Sequence, residues 1–262
     1  MNKIDFDRCC KANQSPHIPV SRVINKLDSF FSVNDMSGAG EHLLYWRNEA
    51  KAAGDLSGEL TVVNEQLGYY RKIGDRQSGL EAVSRSLELV GILKTEHEVS
   101  GATVILNAAT TLKAFGKAEE AMELYNRAYA VYSENLPEND PKMGGFYNNK
   151  ALALVDLGRY EEAEICYKAA LGIMSQAKGG LADLAVTYVN MAHLYDTWFE
   201  NSEEKSVECL NEAEAILNKP DIIRDSYYDY VCSKCAPSFD YFGFFIFAAE
   251  LRERSEKIYA GS

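Results

Sequence analysis

The sequence predicts an all-α fold: an α-α superhelix, a solenoid of antiparallel helix pairs closed by a C-terminal capping helix. Three observations carry that reading. Gly74, Gly116 and Gly158 stand 42 residues apart, twice over. The text around the last two agrees, Leu112-Lys113-Ala114-Phe115-Gly116-Lys117-Ala118-Glu119-Glu120-Ala121 against Leu154-Val155-Asp156-Leu157-Gly158-Arg159-Tyr160-Glu161-Glu162-Ala163. Self-similarity at such a period marks a stack of like units. Finally, few prolines and many Ala, Leu, Glu and Lys favour helix, and 47% hydrophobic residues is a globular composition.

Residues 1–19 read as an irregular lead, because Pro16 and Pro19 oppose a helix. From Val20 to Phe31, Val23, Ile24, Leu27, Phe30 and Phe31 recur at helical spacing. Ser37-Gly38-Ala39-Gly40 is expected to break that helix. A second follows over Glu41–Ala53, stopped by Gly54-Asp55. A third runs over Leu56–Ile73 to Gly74-Asp75, and a fourth over Arg76–Leu93, with 94–98 as connection. The clear pairs come next: Val99–Phe115 with Ala118–Ser133, Lys142–Leu157 with Tyr160–Gln176, and Leu181–Phe199 with Glu203–Leu217. The turn at Glu200-Asn201-Ser202 is about two residues longer than its counterparts, and Ser206 stands where Ala121 and Ala163 stand. A helix over Tyr227–Cys235 is expected to end before Pro237, and a last one to run from Phe239 to Tyr259. Its charged second half, with Arg252, Glu253, Arg254, Glu256 and Lys257, suits a solenoid cap. The organisation expected is one domain over 20–262. Its clearest repeats are 99–140, 141–180 and 181–219, with degenerate helices over 20–98 and capping helices over 224–262.

Composition removes several classes of function. The chain has 262 residues, with 27 basic against 39 acidic side chains and a net charge of −12, which repels phosphate backbones and argues against nucleic acid as a partner. The longest apolar run, Phe242–Ala249, is far short of the roughly 20 residues a membrane helix needs. Met1–Arg8 carries acids and no apolar segment, so no secretory signal is expected. With six cysteines and no dense framework, a cytoplasmic protein with reduced thiols is the expectation.

The small-residue positions and the Gly-x-Tyr-Glu-Glu-Ala turn resemble the tetratricopeptide repeat. The residues that carry the likeness are Ala109, Leu112, Gly116, Ala121, Tyr125 and Ala128, then Ala151, Leu154, Gly158, Tyr160, Ala163, Tyr167 and Ala170. Small side chains let two helices approach closely, and glycine closes the turn. The usual period is about 34. The longer one here, with Leu136-Pro137-Glu138-Asn139-Asp140-Pro141 before Tyr147-Asn148-Asn149-Lys150-Ala151, is similar to the repeat of kinesin light chains and their bacterial relatives. The likeness is clearest over 99–176 and extends to 56–98 and 181–217. By helix order alone, the N-terminal third is similar to bacterial peptide-sensing regulators. The resemblance implies a right-handed superhelix that binds a protein or peptide in its concave groove.

Asn107, Asn149 and Asn190 each precede a small alanine (Ala109, Ala151, Ala192) by two residues. If the alanine faces the partner helix, the asparagine lies about 200° round and faces the groove. An amide offers donor and acceptor together, suited to the backbone of an extended peptide. In the families it resembles, this asparagine contacts bound peptide. The plainer alternative is that it ties neighbouring helices together. Candidate groove residues are Asn107, Thr110, Lys113, Asn148, Asn149, Asn190 and His193, with Asp156 and Asp196 beside them. Lys113 is the only basic residue in this group, so recognition of an acidic chain terminus is not predicted.

Cys232-Ser233-Lys234-Cys235 is one CxxC without a second half-site, and Cys9-Cys10 does not supply one. His17, His42, His97 and His193 share no metal-binding spacing. No catalytic serine elbow or phosphate loop is present, and Glu119-Glu120 and Glu161-Glu162 suit helix starts. No metal, cofactor or catalytic residue is expected. The aromatic run from Phe239 to Phe247 is read as a helix sandwiched between the preceding pair and a chain terminus. The alternative is an exposed patch for homodimerisation or partner docking. The leading function is a non-enzymatic scaffold that holds an extended segment. The alternative is a peptide-responsive bacterial regulator that acts by change of superhelix shape. A thiol oxidoreductase using Cys232 and Cys235 is the least favoured.

Overall fold

The computed structural model describes residues 17–198 and 203–259, with side chains as far as 255. The lead over 1–16, with Cys9 and Cys10, and the turn at Glu200-Asn201-Ser202 lie outside the described residues. Among those described, all regular structure is helical. Two compact units are present, Met1–His97 and Glu98–Ser262.

The first unit holds α1 (Val20–Ser32), α2 (Met36–Ala53), α3 (Leu56–Ile73) and α4 (Arg76–Leu93). Each of the last three starts on an aspartate whose carboxylate accepts from a backbone N–H three residues on: Asp35 from Gly38, Asp55 from Gly58, Asp75 from Ser78. Those bonds satisfy an otherwise orphaned amide. Val23 and Leu27 of α1 pack with Leu43 and Ala50 of α2 and Val62 and Tyr69 of α3.

Gly38 and Gly40 do not break the chain into helices as expected: α2 starts at Met36 and runs through both. They are there for close approach. A Cβ on Gly40 would stand 2.3 Å from the Tyr69 hydroxyl, and one on Gly38 would stand 2.7 Å from the Phe30 ring. Glycine lowers helix propensity by about 1 kcal/mol, and packing of the neighbouring rings outweighs that loss.

The second unit holds α5 (Val99–Ala114), α6 (Ala118–Asn135), α7 (Pro141–Asp156), α8 (Tyr160–Met174), α9 (Leu181–Trp198), α10 (Glu203–Leu217), α11 (Ser226–Tyr241) and α12 (Phe245–Tyr259). They pack as successive pairs, α5 with α6, α7 with α8, α9 with α10, α11 with α12. The small residues Ala109, Ala121, Ala128, Ala151, Ala163 and Ala170 are fully buried, as are Tyr125, Tyr167 and Phe146. Ser206, in the place of an alanine, is buried too. Its hydroxyl donates to the Ala192 carbonyl at 3.1 Å, which satisfies the extra polar group.

Two boundaries near the C-terminus differ from expectation. α11 continues through Pro237 to Tyr241, and the aromatic run is not one helix. It spans the end of α11, a turn at Phe242-Gly243-Phe244 and the start of α12. The proline costs a backbone hydrogen bond, but Phe239 beyond it is fully buried, its ring 5.7 Å from Phe244 and 4.8 Å from Phe247. Burying an aromatic side chain of that size is worth roughly 2–3 kcal/mol, comparable with the roughly 3 kcal/mol that a proline inside a helix costs.

One backbone signature runs through both units. The residue that turns the chain within a pair is left-handed at Asn34, Gly74, Gly116, Gly158 and Gly243, with φ between 54° and 84°. The first four stand 40, 42 and 42 residues apart, and the fifth 85 further, two periods on. The helices α11 and α12 therefore form a pair with the same turn as the four other pairs whose turns are described.

Candidate functional site

In the second unit α5 touches α7, α7 touches α9 and α9 touches α11, so the first helices of successive pairs form an inner row. Polar side chains on this row bond one pair along. Lys113 Nζ lies 3.3 Å from Asp156 Oδ2. Asn190 donates through Nδ2 to Asn148 Oδ1 at 3.1 Å. Tyr227 donates to Asp183, and Tyr241 donates to Asp196 Oδ2 at 3.0 Å. His193 Nε2 and Ser238 Oγ are 2.9 Å apart. All five links join residues 42 to 45 apart in the chain.

The seven sequence-derived candidates all lie on this row, in different settings. Asn107 is half-buried on α5, and its carbonyl accepts from the Thr111 hydroxyl at 2.8 Å. Thr110 is turned within its own pair. Its hydroxyl donates to the Leu106 carbonyl at 2.9 Å and lies 3.3 Å from the Tyr125 hydroxyl of α6. Lys113, Asn148 and Asn190 enter the cross-pair links. Asn149 is half-buried and makes no side-chain hydrogen bond among the described residues. His193 sits under the α11–α12 pair, its ring 5.7 Å from Tyr241 and 5.0 Å from Phe242. Burial pushes the imidazole below its usual range, against the opposing charge of Asp196.

Sequence reasoning missed the partners supplied by α11: Tyr227, Ser238 and Tyr241. The signal was the distance from Gly158 to Gly243, which continues the repeat beyond Pro220.

Cys232 and Cys235 are both buried on α11. Burial pushes the Cys232 thiol up and that of Cys235 to about 12, the reverse of what a reactive thiolate needs. No group of three or more metal-ligating side chains occurs among the described residues. Nor is any described helix long and apolar enough to cross a membrane.

Comparison with known proteins agrees with this geometry. The family model described as tetratricopeptide repeat matches residues 143–219. Curated protein sequences give no match. Among solved structures, kinesin light chain nearly identical TPR-like repeats from Podosopora anserina align at 21% identity and a TM-score of 0.52, covering 77% of this chain and 95% of that one. BtubC (BKLC) from P. vanneervenii aligns at 19% identity and a TM-score of 0.55, covering 87% of this chain and 91% of that one. Residues 143–219 thus match the tetratricopeptide repeat, and the fold of the chain is similar to that of kinesin light chain-type repeat proteins.

Proposed function

We propose that the inner row of α5, α7 and α9 binds an extended segment of a partner protein, with no chemistry performed on it. Tetratricopeptide repeats generally serve as protein-interaction scaffolds. The observation that carries the reading is the Asn149 amide. It has no side-chain partner among the described residues, yet it stands on α7 next to Asn148 and seven residues before Asp156, both of which enter the cross-pair links. An amide so held can donate to and accept from a peptide backbone without reading its sequence. The test is recovery of partners from native lysate by wild type and by an Asn107→Ala, Asn149→Ala, Asn190→Ala variant, both shown folded by circular dichroism. A partner retained by wild type and lost by the variant supports the groove. Equal retention moves the binding surface elsewhere.

A second surface is proposed for self-association. Phe245 and Ile246, at the start of α12, are 67% and 82% exposed. Adjacent exposed apolar side chains of this size mark association surfaces more often than isolated ones do.

A further inference from the structure

The first helix pair has an open groove at a place that is filled in the second pair and in the pair of α7 and α8. It is lined by Arg22, Asn25, Lys26 and Ser29 of α1 and by His42 and Trp46 of α2, with a volume of about 390 Å³. The turn residues Asn34 and Gly74 set the offset between the first and second pairs at 40 residues. At that offset Arg22, Lys26 and Ser29 correspond to Val62, Gln66 and Tyr69, and His42 and Trp46 to Ala82 and Ser86. All five counterparts are buried.

The difference has a plain cause. In the second pair the groove is covered by the preceding helix: α2 packs on α3, and Tyr69 joins the core with Leu43 and Ala50 of α2. The same holds two periods on. Phe146, at the position of Val62, is fully buried with its ring 6.2 Å from Tyr125 and 6.3 Å from Tyr132 of the preceding α6. The groove is thus shaped for a helix, and α1 is the first described helix of the chain.

Its chemistry differs from that of its counterparts. Arg22 and Lys26 enter no ion pair among the described residues, and Lys26 leans over the Phe30 ring at 4.6 Å. The lining contains no acid in a chain of net charge −12. Asp28 of α1 and Glu41 and Glu49 of α2 stand near it in the chain, but none of them lines the groove. His42 donates through Nε2 to the Val23 carbonyl at 2.9 Å, which fixes its ring beside Trp46 at a centroid distance of 6.3 Å. The groove offers two cations outside any ion pair, with the Trp46 ring beside them, complementary to carboxylates flanking a small apolar stripe.

We propose that this groove docks an acidic amphipathic α-helix of a partner protein, which takes the place that α2 takes on α3 and α6 takes on α7. The site is separate from the inner row, so it stands or falls independently of the peptide groove.

The test uses the full chain carrying Trp198→Phe, so that Trp46 alone reports by fluorescence. The probe is an 18-residue helical peptide with alanine and leucine on one face and glutamates beside them; its control has lysine in place of glutamate. The expected result is saturable binding of the glutamate peptide that shields Trp46 from acrylamide. Binding should weaken by about tenfold or more in the Arg22→Glu, Lys26→Glu variant, which should instead take the lysine peptide. Both substituted positions are exposed, and circular dichroism checks that the fold is kept. Equal binding of the two peptides by wild type, or no saturable binding, overturns the proposal. So does a Trp46 already shielded in the free chain, which would assign the groove to the protein's own residues.

Discussion

Arg85 forks onto Glu59 across the α3–α4 pair, with Nη2 2.6 Å from Oε2 and Nε 2.9 Å from Oε1. Glu59 is 1% exposed, and Arg47 and Lys51 of α2 approach it at 3.9 and 3.8 Å. One buried carboxylate thus ties three helices of the first unit. Removing one partner of a buried pair leaves an uncompensated charge and costs about 3–5 kcal/mol. Arg85→Ala is expected at the lower end, because Arg47 and Lys51 remain. Glu59→Ala is expected at the upper end, because it leaves three cations facing one another. Urea unfolding of both variants checks the order.

The same carboxylate sets an acid limit. Burial pushes the Glu59 carboxyl up, but the Arg85 fork and the charges of Arg85, Lys51 and Arg47 outweigh it, so it lies below 4.5. The unfolded chain therefore binds this proton more readily. The contribution is complete above pH 4.5 and is lost as pH falls through the lower folded value. Thermal melts from pH 6 to pH 3 should show a larger loss in wild type than in Glu59→Gln, which keeps the part due to Asp55, Asp75 and Glu164.

His193 gives a second, higher window. Its folded value lies below the ordinary 6.5, burial being the cause, so protonation favours the state in which α9 and α11 separate. Contact of α11 with α9 should be fully supported above pH 6.5 and weaken as pH falls below it. Hydrogen exchange along α11 at pH 7 and pH 5.5, corrected for intrinsic rates, reads this directly. Protection unchanged in wild type would refute it.

Glycines separate by their surroundings. A methyl group at Gly40 would meet the Tyr69 hydroxyl, which donates to the Met36 carbonyl at 3.0 Å, so Gly40→Ala should cost about 1–3 kcal/mol. A methyl group at Gly172, inside α8, would meet open space, so Gly172→Ala should stabilise by about 0.5–1 kcal/mol. Denaturant midpoints of opposite sign are expected for the two.

Exposure of Phe245 and Ile246 leads to a fifth outcome. If the α11–α12 end self-associates, sedimentation should show a concentration-dependent dimer in wild type, abolished in Ile246→Asp. A monomer at all concentrations would remove that surface.

The helices α3, α4 and α10 are legible to the residue, because aspartate and glycine punctuate the first two and apolar spacing sets the third. Three features were hidden for physical reasons. Gly38 and Gly40 act in close approach, although glycines in sequence look like breakers. Pro237 is held inside α11 by packing of Phe239, a long-range effect no local propensity carries. The aromatic run conceals a turn, because buried and exposed rings alternate across two helices: Phe239 and Phe247 are buried, whereas Tyr241 and Phe245 face outward. Of the inner row, the sequence places the residues on one face. It cannot show that Thr110 turns toward Tyr125, or that Asn148 and Asn190 spend an amide on each other.

The cross-pair links give the chain a natural editing unit. Each polar link on the inner row reaches one pair along, between residues 42 to 45 apart. Duplicating or excising a whole pair between left-handed turns would keep the helices on either side of the cut in the same register. Adding a single residue inside a helix would instead rotate everything beyond it by about 100° and put each link out of register. Length in this protein is therefore counted in pairs, much as a coding sequence is counted in triplets.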